Sequence, residues 1–474
     1  MPRGSIAPIS PYHPDAGIFD EALEADGSPR PAYGDLLAVL ERTDLGALAA
    51  ALAEDVAASG VSFRADDSQG DSFCLDAVPR LLEAETWTAL ARGLTQRVRA
   101  LDRFVADAYG ERAIVAAGVV PARALDSCDH LEPTLGGLPA PAVRIAVAGL
   151  DVVRDAQGDF RVLEDNVRTP SGLAYALAAR EALGRRFPEG APGPAEPVTR
   201  AVEMLGRALA AAAPDGVDEP SIVLLSDGPA NSAFYEHRRL ARELGVPGVT
   251  LEDLSVRSGR LHARCDATIR PVDVVYRRTN EDRLTDESGE LTAVGAALHE
   301  PLRTGKLAVM NGFGTGVADD KLIHAYVEDI VRFYLGEEPL LRSVRTYDLG
   351  APEMLEMALD RIDELVIKPR TGHGGRGVVV APHAHTTDIR RTADEVSADP
   401  TNYIAQELVM LSRHPTVVDS HLEPRHVDLR PFVFLSPAGA EVAPGGLTRV
   451  ALERAALVVN SSQRGGIKDT WVLR

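Results

Sequence analysis

Cysteine is scarce: 3 in 474 residues, at Cys74, Cys128 and Cys265, far apart and without a CxxC pair. That excludes a disulfide scaffold and a cysteine-built zinc site, and it fits a reducing compartment. No apolar run reaches the roughly 18 residues needed to cross a membrane. Even the Ala-rich LGALAAALAEDVAASG is broken by Glu54 and Asp55. The opening stretch MPRGSIAPISPYHPDAGIFDE has no apolar core of the signal-peptide kind, so a cytoplasmic location is the expectation. Basic residues are in deficit, 50 Lys and Arg against 70 Asp and Glu, a net charge of −20. That balance argues against nucleic acid or an anionic membrane as partner, although a local basic patch can still hold a small phosphate ligand. Internal repeats and heptads are absent too, and no feature speaks to oligomeric state. What is present is ordinary for a globular protein, 45% hydrophobic and 25% charged, in a chain too long for one core.

Residues 1–30, rich in Pro, Gly and Asp, read as an irregular arm. Between 31 and 214, helical spacing covers Tyr33–Ala58 and Glu85–Tyr109, the latter with Leu90, Leu94, Val98, Leu101 and Val105 in register. DSFCLDAVPRLL between them reads as a loop. Gly149–Asn166 reads as a hairpin, LDVVRD and FRVLEDN about an Ala156-Gln157-Gly158 turn, followed by a helix over Leu173–Leu183. RRFPEGAPGPAEP is a Pro/Gly loop. From 215 to 339 the strands SIVLLSD, VTLEDL, VDVVYRR and KLAVMN alternate with helical stretches, which predicts an open parallel sheet. After Leu340 the pattern turns α+β. ELVIKPR, VVVAP and YIAQELV fall within 340–408, and HVDLRPFVFL, LTRVAL and LVVNSS within 409–474. The expected fold class is α/β joined to α+β.

Three groups of residues carry chemistry. LVIKPRTGHGGRGV sets Lys368 at a strand end before Gly372, Gly374, Gly375 and Gly377. A lysine neutralises phosphate oxygens, and glycines let backbone N–H groups approach them. It is neither a Walker loop nor a GxGxxG before a helix, and a glycine-rich hairpin turn with an exposed lysine reads equally well. In the hairpin, Asp151 lies on the first strand, with Glu164 and Asn166 on one side of the second. Hard oxygen ligands from adjacent strands suit magnesium, which takes the rest of its shell from phosphate and water. Surface carboxylates on an edge hairpin are the alternative. Third, Lys321, Arg430, Arg449 and Asn460 stand in stretches that otherwise read as buried and would need partners there.

Together these segments resemble the ATP-grasp family. VIKP, the glycine loop and the strand ending Gln406-Glu407 are similar to its nucleotide-binding half. DLRPFV, LTRVAL and NSSQRGG resemble its later segments, and GLDVVRDAQGDFRVLEDN its metal-binding hairpin. The order departs from the usual one, and moving Gly149–Gly172 behind Arg474 would restore it. The chain therefore looks like the circularly permuted type 2 group, and YGDLL, GPANSAFYEH, VYRR and GTGVADDK sit in similar context. Permutation is tolerable because domain termini often lie close together.

The resemblance implies an ATP-grasp fold whose parallel-sheet stretch is a Rossmann-like pre-ATP-grasp domain for substrate. Residues 31–214 and 409–474 would form the catalytic lobe, and 340–408 the nucleotide lobe. It implies ATP with magnesium, or manganese in its place, and joining of a small-molecule or peptide carboxylate to an amine through an acyl-phosphate. Lys321 and Lys368 would bind phosphates, and Gln406 and Glu407 would meet adenine or ribose. Asp151, Glu164, Asn166 and Asn460 would serve the metal. Arg430 and Arg449 would stabilise the transferred phosphoryl group, and Arg168 the carboxylate. An ATP-dependent kinase on the same lobe, or a silent nucleotide-binding scaffold, stays open. Substrate is read only from position. Gly228, Asn231 and Ser232 stand where a strand meets a helix, a common ligand place that an ordinary capped turn also explains. Arg277 and Arg278 could take a second carboxylate or pair with Glu281 and Asp282.

Overall fold

The hairpin forms as the alternation predicts. Strand β1 (Val147–Arg154) pairs antiparallel with β2 (Phe160–Asn166). The Asp155 carboxylate closes the turn by accepting from Gln157 N and Asp159 N. Gly158 lies at φ +85, where a Cβ would sit 2.5 Å from the Phe19 ring, so only glycine fits. The computed structural model describes residues 12–62, 74–190, 192–371, 377–453 and 465–474.

The alternating stretch gives β3 (Ile222–Ser226), β4 (Gly248–Val249), β5 (Val274–Arg278) and β6 (Ala308–Met310). They make a four-stranded parallel sheet in the order β6-β5-β3-β4. Next come β7 (Thr346–Asp348), β8 (Leu365–Pro369), β9 (Val379–Val380) and β10 (Tyr403–Glu407), an antiparallel sheet in the order β7-β10-β8-β9. The long strands β11 (His421–Ser436) and β12 (Gly439–Val450), with β13 (Gly466–Lys468), then join the hairpin. The result is a seven-stranded sheet in which β2, β1, β11, β12 and β13 lie side by side, flanked by Arg342–Ser343 and Arg413–Val418. Segments far apart in sequence thus become neighbouring strands.

One face of the large sheet is closed by helix α1 (Ala84–Ala108). Leu90, Leu94, Val98, Leu101 and Val105, at the spacing of one helix face, pack with Leu150, Val152, Val162, Leu429 and Val433. Each such fully buried side chain contributes about 1.5–3 kcal/mol. On the other face, Val147, Phe432 and Phe434 meet α2 (Leu173–Arg186), α3 (Arg200–Ala210) and the parallel sheet's Val274 and Tyr276. Asn311, just after β6, accepts from Val147 N and donates to Val147 O and Val167 O. It pins the parallel sheet to the end of the hairpin.

Several expectations are corrected. Tyr33–Ala58 is two helices, Gly34–Leu40 and Leu45–Ala58, because the Asp44 carboxylate caps Ala47 N and starts a second one. VTLEDL is not one strand. Only its start pairs as β4, and a capping box between Thr250 and Asp253 turns the chain. Leu254–Arg257 then joins a separate antiparallel sheet with Arg260–Cys265 and Thr268–Pro271. The loop before α1 contains a strand, Arg80–Leu82, parallel to Thr470–Val472. LVVNSS lies outside the described residues.

Candidate active site

Strand register assembles the site. Asp151 stands directly opposite Glu164, and Gly149 opposite Asn166, so the two acids and the amide share one face. A bulge follows at Leu163, whose carbonyl lies 3.5 Å from the Gln406 amide nitrogen of β10. On the next strand, Leu429 pairs with Val152 and Phe432 with Gly149, which sets Arg430 level with Asp151. On the strand after that, Arg449 stands opposite Asp428. The face therefore reads Glu164, Asp151, Arg430, Arg449 across four strands. Its opposite side is the apolar core under α1.

Arg430 grips Asp151 with two hydrogen bonds, Nε at 2.6 Å and Nη2 at 2.9 Å. Arg449 adds Nη2 at 2.9 Å and also holds Asp428. Burial pushes the Asp151 carboxyl up, but the two guanidiniums outweigh it and hold it at about 2. Burial raises Asp428 instead, with Arg449 opposing, since it shares that guanidinium with Asp151. Among the described residues the Asp151 oxygens accept three bonds, and Oδ1 accepts one of them.

From the facing antiparallel sheet comes Lys368 of β8, 5% exposed, with Nζ 3.6 Å from Glu164 Oε1. Burial draws its pKa down; Glu164 opposes that, and Lys321 adds to it. Lys321 opens a short helix, Lys321–His324, capped by Asp320, which itself pairs with Arg370. The two ammonium groups thus feel each other beside Glu164. Glu164 is a third exposed, and Asn166 Nδ2 is buried with no partner among the described residues. Those are the features of donors that wait for a ligand.

Behind this face sits a triad that sequence reading missed. Asp165, between Glu164 and Asn166, points to the opposite side, where Arg97 of α1 binds both its oxygens at 2.6 and 2.7 Å. His324, at the end of the Lys321 helix, adds Nδ1 at 2.8 Å. Burial raises the Asp165 carboxyl, but Arg97 and then His324 bring it well below the usual range. Asp428 was missed likewise. The one available signal was that Asp428 and Arg430 share a strand face in HVDLRPF.

Other expected residues stand as follows. Gly377 lies at φ +74 with a would-be Cβ 3.0 Å from Pro369, so the loop returns in a glycine conformation. Gly372, Gly374, Gly375 and Asn460 lie outside the described residues. The Gln406 amide donates to Thr346 Oγ1 at 3.0 Å. The Glu407 carboxylate is held by Arg361 at 3.0 and 3.1 Å and by the Tyr347 hydroxyl. Arg168 spans Asp319 and Asp282 at 2.8 and 2.9 Å. Asn231 is fully engaged: Nδ2 donates to Asp227 and Asn280, and Oδ1 accepts from Ala233 N. Gly228 lies at φ +73, and Ser232 is exposed. The Thr169–Gly172 turn leads into α2, and the anion at the N–H groups there is the protein's own. Gly172 N and Ala174 N donate to buried Glu236, which Arg278 neutralises.

Comparison with known proteins agrees with this arrangement of parts. A protein of Frankia alni named "Putative glutamate–cysteine ligase 2-3" is 44% identical over 478 residues, 99% of this chain and 55% of that protein. An uncharacterized protein of Mycobacterium tuberculosis is 42% identical over 97% of this chain and 84% of its own length. One of Synechocystis is 40% identical over 98% and 99%. The chain spans about half the length of the Frankia relatives it matches. The family described as circularly permuted ATP-grasp type 2 matches residues 79–451. The chain belongs to that family.

Proposed function

We propose that the protein is an ATP-dependent carboxylate–amine ligase that works through an acyl-phosphate and releases ADP and phosphate. The observation that carries this is the meeting of Lys368 with Glu164 on a face where Asp151 lies between Arg430 and Arg449. Such a stripe neutralises phosphate on one side and offers open oxygen donors on the other.

In this reading Lys368 and Lys321 hold ATP phosphates, and the Gly372–Gly377 loop covers them. Gln406 and Glu407 line the base and ribose. Two carboxylates and an amide are hard donors, and Glu164, Asn166 and Asp151 Oδ1 fit a magnesium ion, with manganese as substitute and Asn460 as a further donor. When bound, the metal supplies charge neutralisation between the phosphates. Among the described residues no three His, Cys, Asp or Glu side chains converge, so a soft or catalytic-zinc site has no support. Arg430 and Arg449 would draw charge from the phosphoryl group as it passes to the acid. Phosphoryl transfer needs this positioning and neutralisation more than a protein nucleophile. The amine then displaces phosphate from the activated carbonyl.

The Frankia relatives' names make an amino-acid dicarboxylate the first acid to test. The assay supplies ATP, magnesium and L-glutamate, with hydroxylamine in place of the amine. The expected result is ADP with a stoichiometric hydroxamate. AMP and pyrophosphate would mean an adenylating enzyme, and ADP with a stable phosphorylated product would mean a kinase. Across the described residues no helix is long and apolar enough to cross a membrane.

A further inference from the structure

At the C-terminal end of the parallel sheet one buried guanidinium has no carboxylate bonded to it among the described residues. Arg277, next to last on β5, is 1% exposed. Its Nε is buried and meets no acceptor among the described residues. Nη1 approaches only the Glu281 carbonyl, at 3.4 Å. The guanidinium lies over the Phe313 ring, 5.0 Å from its centroid. Burial pulls its pKa down to about 10, against the nearby charge of Asp282, while Arg168 and Arg278 push the same way as burial.

The neighbouring arginines are spoken for. Arg278 binds Glu236, Ser171 Oγ and Pro170 O, and Arg168 binds Asp282 and Asp319. The nearest opposing charge, Asp282, is already held by Arg168, so the buried Arg277 fork is only partly compensated, and its unbonded Nε is costly. The missing partner is therefore an anion from outside the chain. Its kind follows from the surroundings. The planar fork of arginine matches a carboxylate, and Phe313 supplies an apolar floor beneath it. Asp282 and Glu281 close by disfavour a dianion such as phosphate. The place is right as well, since ligands of open parallel sheets bind beyond the carboxyl ends of the strands. Ser171 joins this edge to the charged face, taking Arg278 on its hydroxyl and Arg430 on its carbonyl.

We propose that Arg277 anchors the unreacting carboxylate of an amino-acid substrate, with Phe313 as the floor of that subsite. This rests on the ligase reading, in which the reacting carboxylate faces Arg430 and Arg449. The carboxylate can belong to the acid that is activated or to the amino acid that attacks it.

The test compares the parent with Arg277→Met and Arg277→Lys. Thermal shift with ADP and magnesium present is read against a panel of L-amino acids, with glutamate paired against glutamine and glutamate α-amide. At least one acid should protect the parent, protect Arg277→Met at least tenfold more weakly, and protect Arg277→Lys to an intermediate degree, with ADP affinity within twofold. Without ligand, Arg277→Met should melt no lower than the parent, because an only partly compensated buried charge is gone. A merely structural arginine on Phe313 would lower it. Equal protection of parent and Arg277→Met, or no protection of the parent by any member, overturns the proposal. The hydroxylamine assay separates the sources. A raised KM for the acid there assigns the carboxylate to the donor, and a raised KM only for the attacking amino acid assigns it to the acceptor. Protection through Arg277 with no ADP release would leave the anchor standing and remove the ligase reading.

Discussion

Two clusters of buried polar residues lie near the open end of one hairpin, one on the charged face of the large sheet and one at the edge of the parallel sheet, and they are finished to different degrees. At the parallel sheet's edge, Glu236 receives two backbone N–H groups and Arg278, and Asn231 uses both amide atoms. On the large sheet's charged face, among the described residues, Asn166 Nδ2 has no partner, and the facing Lys368 reaches one carboxylate, at 3.6 Å. The sequence patterns of the two clusters look alike, each a polar run where a strand ends. What separates them is satisfaction. Glu236 and Asn231 have their bonds made within the fold, whereas Asn166 Nδ2 and Lys368 keep donors that a ligand would satisfy in the proposed reaction.

The largest expected effect comes from a third group, the ion pair behind the charged face. Removing Arg97 leaves buried Asp165 with His324 as its remaining partner. Arg97→Ala should cost about 3–5 kcal/mol, as expected when one member of a buried pair is deleted. A lowered thermal midpoint would register it, and an unchanged midpoint would mean that the triad is not structural. Next in size is Glu164→Gln, which removes one anionic donor and keeps the volume. ADP release should fall roughly 10²–10³-fold, the usual effect of deleting a group that stabilises transferred charge. The thermal midpoint should stay near the parent's, since that side chain is a third exposed. Retained turnover would make Glu164 an ordinary surface acid.

How much of this was legible varies with the distance of each partner. Asp151, Glu164 and Asn166 stood out because a carboxylate and an amide share a face within one hairpin. Arg97 did not, although it stands three residues after Leu94 and four before Leu101 on the buried face of α1, because its partner comes 68 residues later. The same limit hid Glu236, which takes the helix N-terminus that the Thr169–Gly172 turn offers. The capping box of Thr250 and Asp253 was present in VTLEDL, but the apolar run around it read as one strand. Local periodicity shows which face a residue takes. Only the register between distant strands shows what it meets.

A third prediction uses pH. The Asp151 carboxyl lies below its ordinary value in the folded state, so its contribution is present above pH ~4 and is lost as pH falls toward about 2. The sign follows from proton counts: over that interval the unfolded chain binds the proton and the folded one does not. The contribution is about 2–3 kcal/mol for a carboxylate depressed this far. The thermal midpoint of Asp151→Asn should therefore fall less steeply than the parent's between pH 5 and pH 3. Parallel curves would mean that the two arginines do not hold Asp151 ionised.

The smallest expected effect tests the comparison where it is most exposed to error. GPANSAFYEH lies where ligands of parallel sheets often bind, so Asn231 and Ser232 invite a functional reading from position alone. The structure gives Asn231 three partners of its own: the Asp227 carboxylate, the Asn280 side-chain oxygen and the Ala233 N–H. Asn231→Ala should then cost only the net worth of those bonds, about 1 kcal/mol after water replaces the exposed ones. Ser232→Ala, at an exposed position, should cost nothing measurable. Neither should move KM for ATP, the acid or the amine by more than about twofold, an energy near 0.4 kcal/mol. A tenfold rise in KM for the acid in Asn231→Ala would show that a side chain with all its bonds made still reorganises to take substrate. Satisfaction would then no longer separate the two clusters, and the turn after β3 would join Arg277 as part of the substrate subsite.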